Sequence, residues 1–181
     1  MRKALVITAV AAAVVTVSLA GAPAQAQSVT FALTGSSLAI AEPGTAATLT
    51  GGSLASLAGT SITGALGSTT VTDARGGVVG WTSKVTGTTD FTNGTTTIPV
   101  TSATVWIPVA GISTTGVVVA SQGTYLTQLT GLALTSLAQT LVTATGVVGN
   151  NTATFSPQIA VAIPSNATAG TYTGAVTQTV A

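Results

Sequence analysis

Beyond residue 26 the chain carries only five charged side chains, and four of them, Asp73, Arg75, Lys84 and Asp90, fall in one stretch, VTDARGGVVGWTSKVTGTTDF, residues 71 to 91. Asp73 and Arg75 stand two apart at the end of a β-like run, so both side chains point to one face of a strand. Gly76-Gly77 then supplies turn chemistry, and Gly80-Trp81 opens the next apolar-alternating run. Two chemistries fit this spacing. An exposed Trp81 would stack on a sugar face while Asp73 and Arg75 hydrogen-bonded its hydroxyl or amide groups. Alternatively, an Asp–Arg ion pair ties a hairpin turn and Trp81 anchors the core, the usual place for a Trp on a central strand.

Catalysis finds little to work with. Glu42, Asp73 and Asp90 are the only carboxylate side chains in the sequence, so a glycosidase-like pair is formally available. Ser83 and Lys84 are adjacent in a strand and would point to opposite faces, which rules them out as a dyad. The chain has no Cys and no His, so there is no thiolate nucleophile, no imidazole base and no Cys- or His-ligated zinc. Three scattered carboxylates lack the density of a calcium loop. No catalytic residue, metal site or cofactor is assigned, and no enzyme is expected.

The elements that must position these residues read as β throughout. Only 4 % of the 181 residues are charged while 46 % are hydrophobic, which is unlike both ordinary soluble domains and charged disordered chains. Period-2 alternation rich in Val, Ile and Thr recurs between Gly, Pro and Asn. It predicts strands over 29–34, 37–41, 45–50, 68–73, 78–85, 103–107, 116–121, 140–145 and 152–155. Two further strands, carrying Ile159, Val161 and Ile163, then Tyr172, Val176 and Val180, are expected to pair as a terminal antiparallel hairpin across the turn at 165–170. Leu126 to Leu141 mixes helical and strand spacing and is read as strand and loop. The number and spacing of strands argue for an all-β fold, an antiparallel β-sandwich of immunoglobulin-like or Greek-key type.

Threonine suits such strands, since its β-branched stem packs on the pleat and its hydroxyl faces water. Solubility then rests on hydroxyls rather than charges, and edge strands without Lys or Glu invite self-association.

The N-terminus reads as an export signal. Arg2 and Lys3 precede an uncharged apolar run from Ala4 to Ala20, and Ala24-Gln25-Ala26 supplies the small-x-small pattern that places cleavage after Ala26. The apolar run is long for a signal, so an uncleaved anchor is the other outcome. The expected organisation is a signal peptide over 1–26 and one domain over 27–181, secreted to the cell surface. That domain keeps Arg75 and Lys84 against Glu42, Asp73 and Asp90, a formal net charge of −1. So little positive charge excludes nucleic acid as a partner, and no later apolar run is long enough for a transmembrane span.

A second signature lies in IPSNATAGTYTGAVTQTV, residues 163 to 180. Pro164 ends one strand, and Gly170-Thr171-Tyr172 opens the next in the manner of a tyrosine corner. Together with the D-x-R-G…G-W stretch (Asp73, Arg75, Gly76, Gly80, Trp81) and an early pattern of Phe31, Leu33, Leu38, Ile40 and Pro43, it resembles the WxL family of Gram-positive surface proteins. The resemblance implies an all-β exported domain held non-covalently on the cell wall through peptidoglycan. The chain departs from the family at its name-giving positions: Ser83 stands where the Leu of the first W-x-L is expected, and Gln178 where the second Trp is expected.

Two functions follow as expectations. One is non-covalent association with peptidoglycan or another cell-wall glycan, with Asp73, Arg75 and Trp81 as candidate contacts. The other is a structural surface protein that self-associates or binds other surface proteins through strand edges, with no glycan ligand.

Overall fold

A computed structural model describes residues 32, 35–44, 46–51 and 59–181. The chain divides into two units, Met1–Leu33 and Thr34–Ala181, and every element below belongs to the second. The signal region, the expected strand over 29–34 apart from Ala32, Phe31, Leu33 and Thr45 lie outside the described residues.

Among the described residues eleven strands follow in order. They are β1 (Leu38–Ala41), β2 (Ser61–Ala65), β3 (Thr69–Asp73), β4 (Trp81–Thr92), β5 (Thr97–Ile98) and β6 (Ala103–Trp106). Then come β7 (Ile112–Ser121), β8 (Leu132–Ala133), β9 (Gln139–Phe155), β10 (Gln158–Ala162) and β11 (Thr173–Val180). All pairings are antiparallel. A seven-stranded sheet has the order β1-β3-β9-β4-β11, with β5 added to β4 and β7 to β9, and a four-stranded sheet has the order β2-β10-β6-β8. The fold is an antiparallel β-sandwich whose larger sheet curls almost into a barrel. Glu42, just past β1, accepts the backbone N–H of Gln178 on β11 at 3.0 Å, which draws the two ends of that sheet together.

The alternation seen in the sequence builds the core. Val71, Trp81, Val85, Ala153 and Phe155 point inward from the larger sheet, and Val105, Ile107, Ile159 and Val161 from the strands and flanks of the smaller one. Phe155 is 1 % exposed; burying a side chain of that size contributes roughly 1.5–3 kcal/mol.

Several expected pairings are corrected. β10 and β11 do not form a hairpin: β10 pairs with β2 and β6 in the small sheet, and β11 with β4 in the large one. Alternation fixes which side of a strand is buried but not which sheet it joins, and the loop after Pro164 carries the chain from one layer to the other. The runs at 140–145 and 152–155 are two ends of one 17-residue strand, β9. Gly146 and Gly149, with φ of +60° and +69°, act there as bulges rather than turns. Residues 46–50 are not strand, whereas Leu126–Leu141 is strand and loop as expected, with β8 and the start of β9 as its strands. β2, in the small-residue stretch SITGA, was not anticipated.

The charged stretch is not a hairpin either. β3 pairs with residues 151–155 of β9 and β4 with residues 139–144, while β7 occupies the opposite edge of β9 over both. β3 and β4 are therefore consecutive along the same edge of β9 rather than the two arms of a hairpin. Residues 74–80 form an outward loop between them, held to β9 by the Gly149 N–H donating to the Gly77 carbonyl at 2.9 Å.

Candidate functional site

The carboxylate of Asp73 ends β3 with its side chain 2 % exposed. Its Oδ1 accepts from the Arg75 backbone N–H at 3.1 Å and from Arg75 Nε at 2.9 Å, and its Oδ2 from Arg75 Nη2 at 3.0 Å. The same Nη2 donates to the carbonyls of Val79 at 3.0 Å and Gly80 at 3.2 Å. Arg75 thus spans the base of the 74–80 loop and ties its two ends, a use that suits the planar fork of a guanidinium. Hydrogen bonds from Arg75 hold the Asp73 carboxyl below its ordinary value of 3.8, against the burial that pushes it up.

Asn151 on β9 continues the network. Its Oδ1 accepts the Trp81 indole N–H at 3.3 Å, and its amide nitrogen donates to the Gly149 carbonyl at 3.3 Å and more distantly to Asp73 Oδ2 at 3.5 Å. Two glycines make the loop possible. Gly76 sits at φ +73°, in the left-handed region, and a Cβ on Gly80 would collide with the carbonyl oxygen of Ala144.

This geometry corrects the glycan-facing reading of the stretch. Trp81 is 2 % exposed and Asp73 is equally buried, so neither can meet a sugar, and the guanidinium of Arg75 is already shared among three backbone and carboxylate partners. The cluster is a structural brace. Trp81 opens β4 opposite Ala144 of β9 and points to the inner face, as the core-anchor reading expects. Asp90 is likewise engaged, accepting the Val100 backbone N–H at 2.8 Å. Among the described residues no three His, Cys, Asp or Glu side chains group as a metal site.

The second signature is structural too. Tyr172 donates its hydroxyl to the Thr168 carbonyl at 2.9 Å and accepts the Thr168 N–H at 3.2 Å, the hydrogen bonding of a tyrosine corner. Pro164 accepts from the Ala167 N–H at 3.0 Å, closing the turn after β10. A Cβ on Gly170 would come within 2.9 Å of Asn93 Nδ2, and Asn93 is held there by Thr168 and Ala169.

What the residue types alone did not single out is the outer face of the larger sheet. The registers of β1, β3, β9 and β7 set two rows across four strands: Ala41, Thr70, Thr154, Ser113 and Ala39, Thr72, Thr152, Thr115. Their strand neighbours Val71 and Ala153 are fully buried, so the rows point away from the core. Cross-strand hydroxyls meet at 3.1 Å for Thr70 and Thr154 and at 2.5 Å for Thr115 and Thr152. The face is neutral, and its strand positions repeat at about 4.8 Å across strands and about 6.7 Å along them. The signal that could have found it was present: Thr70-Val71-Thr72 and Thr152-Ala153-Thr154 share a T-x-T pattern, but only the register aligns them.

No protein-family model, curated protein or solved structure matches the chain. No helix among the described residues is long and apolar enough to cross a membrane.

Proposed function

We propose that this is an exported cell-surface protein that associates non-covalently with cell-wall glycan, and that the contact is made by the hydroxyl rows on the outer face of its larger sheet. The observation that carries this reading is the in-register placement of Thr72, Thr152 and Thr115 on three adjacent strands. An inter-strand step of about 4.8 Å is comparable to the advance of one β-1,4-linked sugar, so a glycan strand lying across the strands passes one threonine position per sugar at Thr72, Thr152 and Thr115. A linear polymer can follow the twist of the sheet, which a rigid lattice cannot. A neutral face also avoids desolvating charges against neutral sugars. Export is supported by the Arg2-Lys3 and apolar run ahead of Ala24-Gln25-Ala26. The resemblance to WxL proteins supports the wall as the destination, and the residues that carry it, Asp73, Arg75, Gly80, Trp81 and Tyr172, serve the fold in this reading rather than the ligand.

Sedimentation of the folded, processed protein with isolated peptidoglycan sacculi tests the proposal. Association predicts a saturable pelleting fraction that soluble wall-glycan fragments compete away. A protein that stays in the supernatant at every sacculus concentration would sink it.

A further inference from the structure

Eight large hydrophobic side chains are exposed among the described residues, and five of them, Val78, Val79, Val117, Val119 and Val148, come from three neighbouring segments. Val117 pairs directly with Val148 across β7 and β9, and Val119 pairs with Thr145. The 74–80 loop that carries Val78 and Val79 is joined to the same middle stretch of β9 by the Gly149 to Gly77 hydrogen bond. Clustered exposed apolar side chains mark contact surfaces more often than isolated ones do. The brace described above gives this patch a fixed shape, since Arg75 grips the carbonyls of Val79 and Gly80 at 3.0 and 3.2 Å.

A second observation falls on the Val117 and Val119 side of this patch, across β9 from the 74–80 loop. β7 is ten residues long, ISTTGVVVAS, and among the described residues β9 is its only strand partner. It carries no Lys, Glu, Asp, Arg or Pro, the residues that commonly guard a free edge. An edge with unpaired N–H and C=O groups and an apolar flank is complementary to itself under a two-fold axis, because antiparallel pairing of two identical strands satisfies both and sets valine beside valine. A charged partner would instead leave its charges desolvated against valine.

We infer that the β7 edge with its valine flank is a docking surface for a second copy of this chain, joined in antiparallel, two-fold fashion. Register shifts around Gly116 and Val118 bend β7, which limits the length of strand that pairs and makes the dimer weak and concentration-dependent. Joining two larger sheets in this way also places two hydroxyl faces in one particle, but the dimer itself needs no glycan.

The test is sedimentation velocity of the processed protein over a concentration series, without any wall material. A monomer–dimer equilibrium is expected, one that added salt does not weaken because no ion pair contributes. Val117→Lys and Val119→Lys should each weaken dimerisation tenfold or more, whereas Leu129→Lys, at a 96 % exposed position outside the patch, should leave it unchanged. The chain contains no Cys, so a Val119→Cys variant offers a second reading that survives any folding defect in the lysine variants: mild oxidation should yield a disulfide-linked dimer. A wild-type protein that is monomeric throughout, or a dimer indifferent to both lysine substitutions and not trapped through residue 119, would overturn the inference.

Discussion

Trp81 donates its indole N–H to the side-chain oxygen of Asn151 at 3.3 Å, across 70 positions of sequence. Both residues are buried, and Asn151 faces Asp73 directly in the pairing of β3 with β9. One amide therefore serves the start of β4 and the end of β3 from the strand that both of them line. The arrangement explains why a charged pair and a Trp sit so close in sequence in a chain nearly devoid of charge. They lock a break in a strand edge, and the loop so formed is the one that carries Val78 and Val79.

Asn151→Ala removes the acceptor of a buried indole N–H and should lower stability by about 1–3 kcal/mol, the usual cost of leaving a buried polar group unpaired. Urea unfolding of the variant against wild type measures it. An unchanged midpoint would mean that the indole N–H finds another acceptor.

The Asp73 carboxyl predicts the sign of an acid effect. Its folded value lies below the ordinary 3.8, so the unfolded chain takes up a proton at higher pH than the folded one does. The stabilisation is then fully present above the ordinary value and is lost as pH falls through the lowered one. Asp73→Asn should be less stable than wild type at neutral pH, and the gap should narrow steadily as pH drops below about 3.8. Thermal unfolding across that range reads it; a gap that widens on acidification would contradict the assignment.

Ser83 and Gln178 occupy the two positions where the resemblance to WxL proteins leads one to expect Leu and Trp. They are also the buried side chains that keep an unpaired polar atom among the described residues, Ser83 Oγ and Gln178 Oε1. Both side chains are polar at inward-facing sites, and they bear on packing. Ser83→Ala should be neutral to stabilising, by up to about 1 kcal/mol, because it removes an orphaned hydroxyl. A clear loss of stability in denaturant unfolding would show that the hydroxyl is satisfied.

Ala110 is the one described non-glycine residue with positive φ, at +60°, in the turn closed by the Gly111 N–H donating to the Pro108 carbonyl at 2.8 Å. A left-handed conformation costs an L-residue roughly 1–2 kcal/mol, part of which Ala110→Gly regains against its greater unfolded-state entropy. A small rise in thermal midpoint is expected, and a fall would place the strain elsewhere.

The sequence made the all-β class and the inward faces legible because alternation reports burial directly, as Ile159, Val161 and Val71 illustrate. It did not reveal partners. Gly146 and Gly149 look like turn residues until β9 is seen to run through them, and Pro164 looks like a hairpin corner until β10 and β11 are seen in different sheets. The site suffered from the same gap. Asp73, Arg75 and Trp81 stood out because charge and Trp are scarce, yet their environment depends on the shared edge of β9, a contact between residues about 70–80 positions apart. The hydroxyl rows are the converse case: unremarked in a Thr-rich chain, they emerge only when three strands are set in register.

If Trp81 serves the fold and the outer hydroxyl face serves the glycan, one measurement separates the two roles. Sacculus sedimentation would compare wild type with Trp81→Phe and with the double variant Thr72→Glu, Thr115→Glu, each first confirmed as folded by circular dichroism. Trp81→Phe is expected to pellet with sacculi as wild type does, while the doubly substituted face stays in the supernatant. Loss of pelleting in folded Trp81→Phe, with the Thr72→Glu, Thr115→Glu protein still bound, would contradict this division of roles.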